Sequence, residues 1–284
     1  MSPHGDPPCD AEMSGKQSEI TEIAQYYDSD TLLEWLRLER HRMEFAVTMR
    51  ALADYLPEPP AAILDIGGGP GRYVIALAER GYRVTLVDLA QRNLDFARQK
   101  AAEHRVQLID YVHGNALDLK TFPTDTFDAV LLMGPLYHLL EREQRVQAVY
   151  EACRVLKPTG VLCAAFITRY SPIRDLAHRV PMQFVQERER WEEIIRTGVY
   201  RASPSLGFTN AYFAHPLEIT PLMEQAGLET LDLIGVEGAV SRIEEKVNEL
   251  TGEDWQAWVE LNYRLGRDPV MHGAADHLLY VGRK

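Results

Sequence analysis

Apolar residues recur along the chain in two alternating rhythms. Over residues 30–56 the spacing is helical, with Phe45, Met49, Leu52 and Leu56 on one stripe, until Pro57, Pro59 and Pro60 stop the helix. Residues 62–66 form a short apolar run ending in glycines, and helical spacing returns over 72–79 through Val74, Leu77 and Ala78. A second strand is predicted over 83–87, then a helix carrying Leu94, Ala97, Arg98 and Ala101, then strands over 107–112 and 127–133. A helix over 142–156 presents Val146, Val149, Cys153 and Leu156 on one side; Lys157-Pro158-Thr159-Gly160 breaks it, and 161–166 supplies a fifth strand. Strand and helix alternating at this spacing describe successive βαβ units, hence an α/β protein with a mainly parallel sheet covered on both faces.

The pattern is poorer after Thr168. A helix is expected around 183–196, followed by an aromatic stretch with Phe208, Tyr212 and Phe213. Residues 220–226 read as a helix stopped by Gly227, 228–236 as a strand, and a charged helical segment precedes a last strand over 277–281. The expected organisation is a disordered tail over 1–18, a helical lid over 19–57 and a cofactor-binding core over 58–168. A cap or substrate-binding insertion follows over 169–227, and C-terminal core strands with a helical insertion at 237–272 occupy 228–284.

The sharpest chemical signal is Ile63-Leu64-Asp65-Ile66-Gly67-Gly68-Gly69-Pro70-Gly71-Arg72-Tyr73. A buried strand leads into a turn whose missing Cβ atoms permit positive φ and close approach of a ligand. A helix then begins, with unpaired amides and the positive end of its dipole facing that turn. Asp88 ends the second strand, where a carboxylate accepts bonds from ribose hydroxyls. Gly67, Gly69 and Gly71 give G-x-G-x-G, against the dinucleotide order G-x-G-x-x-G, and no Gly-Lys-Ser/Thr follows for a triphosphate loop. Asp65 just before the turn would repel a phosphate and attract an ammonium, which points to a nucleoside cofactor with an amino-acid end.

This segment resembles motif I of the class I S-adenosylmethionine-dependent methyltransferases, and further motifs follow in order: Gly114-Asn115-Ala116, Phe127 to Leu139 including Gly134-Pro135-Leu136-Tyr137-His138, and the Lys157-Pro158-x-Gly160 turn. The likeness is to the broad small-molecule branch of that family. It implies a Rossmann-like class I methyltransferase fold, a mostly parallel seven-stranded sheet with an antiparallel last strand and helical cap insertions. The cofactor it implies is S-adenosyl-L-methionine, with S-adenosyl-L-homocysteine as product and no metal. Gly67, Gly69 and Gly71 would lie beneath the methionine part, Asp65 would receive its amino group, and Asp88 would bind both ribose hydroxyls, with Leu89, Ala116 and Met133 beside the nucleoside. Asn115 replaces the acid that usually meets adenine; its amide oxygen still accepts, and Asp118 is an alternative. Tyr26 or Tyr27 would close the methionine side, with helix packing as the other reading.

On the acceptor side, His138 at the end of the fourth strand is read as a general base working near neutral pH, or as a cap of the following helix. Tyr137 would form a wall, and Arg169 would neutralise an anionic acceptor. Tyr170, Thr209, Tyr212, Phe213 and His215 read as a substrate pocket or as an aromatic cap core. Arg40, His41 and Glu44 fall on a polar face of the first helix.

Composition narrows the choice of partner. The formal charge is -12, from 30 Lys and Arg against 42 Asp and Glu, which disfavours nonspecific nucleic-acid binding. No run approaches the roughly 18 apolar residues of a membrane span. Cys9, Cys153 and Cys163 are too scattered for a disulfide framework, so a cytoplasmic setting is expected. The function expected is methyl transfer to an O or N atom of a small organic acceptor by an enzyme that acts alone or as a homodimer. Alternatives are a protein or RNA methyltransferase, or a noncatalytic cofactor-binding protein.

Overall fold

The computed structural model describes residues 31–202 and 209–284. The expected tail over 1–18, Tyr26, Tyr27 and Phe208 lie outside the described residues.

Helical residues 31–40 (α1) precede α2 (Arg42–Tyr55). The core then alternates β1 (Ala62–Ile66), α3 (Arg72–Glu79), β2 (Arg83–Asp88), α4 (Gln91–Glu103), β3 (Asp110–His113), β4 (Phe127–Leu132), α5 (Arg142–Val155) and β5 (Leu156–Ile167). An insertion follows: α6 (Ser171–Arg179), α7 (Pro181–Gln186), α8 (Arg188–Thr197) and a ribbon of β6 (Val199–Tyr200) with β7 (Ala211–Tyr212). The chain ends with α9 (Pro216–Glu224), β8 (Glu229–Gly235), α10 (Glu245–Asn248), α11 (Gly252–Gly266) and β9 (His277–Arg283).

Seven strands form one sheet in the order β3-β2-β1-β4-β5-β9-β8. The pairs from β3 through β5 are parallel, and β9 runs antiparallel between β5 and β8. The sheet reverses its order of growth between β1 and β4, which opens a crevice at their carboxyl ends.

Strand pleating sorts side chains between two cores. Ile63, Ala129 and Leu131 join α2, α3, α4 and α11 on one face, while Leu64, Ile66, Val130 and Leu132 join α5 and α9 on the other. By the same two-residue period Asp65 projects on the Ile63 side, toward α2 and α3. A third cluster, with Trp191, Ile194, Tyr200 and Phe213, is the interior of the insertion. No described helix is long and apolar enough to cross a membrane.

Several expected boundaries move. The first helix is broken at His41, where the backbone leaves the helical region and Arg37 pairs with Glu44 across the break; no Gly or Pro marks this tertiary constraint. The third strand begins at Asp110, not 107, and the helix expected over 183–196 is two helices separated at Glu187, with α6 ahead of them unforeseen. β5 runs through the Lys157–Gly160 turn by a register shift against β4, rather than starting after it. α9 starts at Pro216, ahead of the 220–226 spacing and where His215-Pro216-x-Glu218 reads as a helix start: His215 and Glu218 form a reciprocal cap around its first turn.

The turns after β1 and β4 are in close backbone contact. Gly67 has φ +68°, and a Cβ at Gly134 would lie 2.6 Å from the Gly67 carbonyl oxygen. Gly134→Ala must therefore displace the glycine turn. It is expected to cost about 1–3 kcal/mol of stability, seen as a lower melting temperature with an unchanged far-ultraviolet spectrum; an unshifted melting curve would contradict the close approach.

Candidate active site

A cleft at the carboxyl ends of β1, β2 and β4 gathers most of the residues singled out by the sequence. Asp65, Gly67, Gly69, Asp88, Leu89, Asn115, Ala116, Met133, Tyr137 and His138 all line it. Gly71 does not. Its φ of +89° starts α3, and a Cβ there would stand 2.9 Å from that of Ala97, so this glycine seats α3 against α4.

Asp65 is 1% exposed and neither carboxylate oxygen has a hydrogen-bond partner. Burial, and after it the nearby charge of Asp88, push it up to about 8. Asp88 has the opposite environment. Its Oδ2 accepts from Gly69 N–H at 2.8 Å, and its Oδ1 accepts from Ala90 N–H at 2.8 Å and Asn93 Nδ2 at 3.1 Å. Burial raises its pKa, and these bonds work against the rise. They also occupy three of about four lone-pair positions, leaving about one for a ligand donor without sharing. Asn115 Oδ1 accepts from Leu117 N–H at 3.0 Å while its residue lines the cleft. Asp118 is tied to Lys120 outside it.

The turn after β4 is a short 3-10 helix, Pro135–Tyr137. Tyr137 donates its hydroxyl to the Met133 carbonyl at 3.1 Å, and its ring meets that of His138 edge-on with centroids 4.7 Å apart. His138 Nδ1 lies 3.4 Å from the Asn210 carbonyl, which favours the tautomer with hydrogen on Nδ1. Burial pushes His138 down to about 4, so it stays neutral through the range where its type ordinarily titrates.

A family profile described as a methyltransferase domain matches residues 63–160. The chain thus carries a methyltransferase domain over those residues. It is 30% identical over 186 residues, 64% of its length, to the ubiquinone biosynthesis O-methyltransferase of Methylobacterium nodulans, and covers 65% of that protein. It is 32% identical over 118 residues, 41% of its length, to the tRNA 5-carboxymethoxyuridine methyltransferase of Escherichia coli, covering 44% of that one. The chain thus spans less than two thirds of these curated relatives. In fold it is similar to the 1,6-didemethyltoxoflavin-N1-methyltransferase of Burkholderia thailandensis, solved with 1,6-didemethyltoxoflavin and S-adenosylhomocysteine. That similarity has a TM-score of 0.56 at 15% identity, over 100% of this chain and 94% of that one.

The cleft does not include the residues expected to bind an acceptor from the insertion. The Arg169 guanidinium bonds both oxygens of Glu218 at 3.0 and 2.9 Å and is buried there, not directed at an acceptor. Tyr212 donates to the same Glu218 at 2.5 Å and lies under Arg145, 3.4 Å from the ring centroid. Tyr170 and His215 bond each other at 3.0 Å, Phe213 belongs to the insertion's apolar interior, and Thr209 is buried. One carboxylate, Glu218, gathers enough donors to organise this patch as cap structure, in line with the alternative reading of it.

Several polar cleft residues were given no role by the sequence reading. Glu34, Arg37, Tyr73 and Asn93 all line the cavity. Asn93 was masked by lying in a helix, and its spacing of five residues from Asp88 is the only local signal. Glu34 and Arg37 sit in α1, whose polar face gives no hint of which side meets the core. Far-apart residues also converge: among the described residues, Glu44, Glu237 and His277 place ligand-type atoms within 4.8 Å of one another.

An unfolded aspartate is ionised above about 4, whereas folded Asp65 keeps its proton to about 8. Between those values the folded state binds more protons, so Asp65 erodes stability as pH rises. Asp65→Asn is expected to raise the melting temperature by an amount that grows from pH 5 to pH 8. A gain independent of pH would contradict the buried, unpartnered carboxyl.

Proposed function

We propose that this protein transfers a methyl group from S-adenosylmethionine to an oxygen or nitrogen atom of a small organic acceptor. The cofactor, when bound, supplies an activated methyl group next to a positive charge. The observation that carries the reading is Asp65: a carboxyl group with no protein partner, buried in a cleft whose other end carries an acid held by three donors. A cation satisfies the first acid, and a sugar hydroxyl suits the second.

The chain's own groups then divide the work. Asp65 takes the ammonium of the methionine part, the Gly67–Gly69 turn leaves space for its backbone-like end, and Asp88 takes a ribose hydroxyl. Leu89, Ala116 and Met133 offer apolar surface to the nucleoside, and Asn115 offers its amide. Tyr137 and His138 stand at the end of β4, where they exclude water and orient an acceptor. Burial keeps His138 neutral, and a neutral imidazole can take the acceptor proton lost as the methyl bond forms.

The small-acceptor part of the proposal is supported by the ubiquinone-pathway and toxoflavin-type relatives, whose names describe O- and N-methylation of small molecules. The charge of -12 weighs against a nucleic-acid acceptor such as that of the tRNA relative. Calorimetry should show S-adenosylhomocysteine binding. Asp88→Ala should weaken it about tenfold or more, since a hydrogen bond to a charged group is worth roughly 1.5–3 kcal/mol; an unchanged dissociation constant would contradict the ribose role. With methyl-labelled cofactor, label should enter a phenolic or amine acceptor, and labelling of tRNA or polypeptide alone would contradict the small-acceptor reading. His138→Ala should lower turnover at saturating cofactor by the same factor at pH 6 and pH 8. A factor that changes with a midpoint near 6.5 would contradict a neutral, buried histidine.

A further inference from the structure

A chain of ionic groups with no part in the chemistry above leads from the last strand to the wall of the cleft. Glu237, in the segment after β8, accepts from the backbone N–H of His277 at 2.9 Å and also bonds its Nδ1. His277 Nδ1 lies 3.8 Å from Oε2 of Glu44 on α2. Both oxygens of Glu44 accept from Arg37 on α1, at 2.6 and 3.1 Å, and Arg37 Nε donates to Glu34 at 2.9 Å. Arg37 and Glu34 line the cleft; Glu44 and Glu237 are buried.

Packed apolar residues would join these elements at least as firmly as buried ions do. The chain is therefore best explained by what it does at its cleft end. A metal ion among Glu44, Glu237 and His277 is a poor fit, because Arg37 occupies both Glu44 oxygens and Glu237 holds the facing nitrogen of His277. Arg37, by contrast, spends three of its five N–H groups on Glu34 and Glu44 among the described residues. Arg37, Asp65 and Tyr137 all line this one cleft, so a cation and an unpartnered acid face the same cavity. That pairing complements a group carrying an ammonium and a carboxylate together.

We propose that Glu44, His277 and Glu237 are positioning residues that present the remaining N–H groups of Arg37 to the carboxylate of the bound cofactor's amino-acid part. The inference rests on the cofactor reading above. Glu34, Glu44 and Glu237 set three acids against the two bases Arg37 and His277, so a charged His277 offsets one of the acids that would otherwise neutralise Arg37. The groups facing His277 are Glu237, Glu44 from α2 and Arg37 from α1, while His41 and Glu244 form a further pair beside Glu44. Burial lowers the pKa of His277, but Glu237 and Glu44 outweigh it and hold His277 at about 9; in Glu44, Arg37 and His277 outweigh burial and bring the acid to about 2. His277 and Glu44 are thus both charged at neutral pH, and His277 loses its proton as pH rises through about 9.

The test compares two ligands by calorimetry on the full chain: S-adenosylhomocysteine, and 5′-methylthioadenosine, which has the nucleoside without the amino-acid carboxylate. At pH 7, Glu44→Gln and His277→Gln should each weaken S-adenosylhomocysteine about tenfold, which is 1.4 kcal/mol, and leave 5′-methylthioadenosine within about twofold. The ratio of the His277→Gln and wild-type constants cancels the titration of the ligand and of Asp65. It should fall toward one as pH rises through about 9, where wild-type His277 is neutral too. Equal losses for both ligands, no loss for either, or a ratio that ignores pH would each overturn the proposal. If wild-type protein binds neither ligand, the cofactor reading fails and takes this one with it; binding of both with unaffected variants sinks the positioning role alone.

Discussion

An acid buried without a partner is the constraint around which this molecule is arranged. Asp65 occupies the last position of β1 on the face toward α2 and α3, 1% exposed and with neither oxygen bonded. Nothing in the folding of the sheet requires a carboxyl group there, and an apolar residue would remove its desolvation cost. The penalty makes sense as a fixed preference for a positive charge, built into a strand paired on both sides. Placing the acid on a central strand sets its position by the register of β1 with β2 and β4 rather than by a mobile loop.

The surroundings divide their labour by hydrogen bonding. Asp88 has a similar burial but three donors, and in meeting Gly69 it also fixes the glycine turn against the end of β2. The turn after β4 is pressed against that same loop through Gly67 and Gly134, so Tyr137 and His138 are carried to the cleft by backbone contact. The insertion reaches this turn in two places: the Asn210 carbonyl meets His138, and Tyr212 covers Arg145, whose guanidinium holds the carbonyls of Leu139 and Leu140. Its aromatic residues thus support the turn from behind.

The core of this arrangement was legible in the sequence because local signals and tertiary need coincide there. Apolar runs, glycines and a strand-end acid announce β1, its turn and Asp88, and the order of motifs gives the sheet. Legibility fails where a tertiary partner overrides local pattern. The break at His41 accompanies an ion pair between helices, and α6 is tied down by Arg174 and by Arg242 reaching Asp175, residues distant in sequence. The same holds for side-chain roles. Arg169 follows a strand end, as a substrate ligand would, yet Glu218 lies 49 positions later and captures it. Arg37 has no distinguishing neighbour in sequence, and only the packing of α1 brings it to the cleft.

The central claim is that Asp65 exchanges its proton for a ligand's positive charge. Calorimetry of S-adenosylhomocysteine binding at pH 7, repeated in buffers of different ionisation enthalpy, counts the protons released. With Asp65 at about 8 before binding, close to one proton should leave the wild-type protein, and none should leave the Asp65→Asn variant. Binding by the wild type without proton release, or equal release from both proteins, would contradict the account.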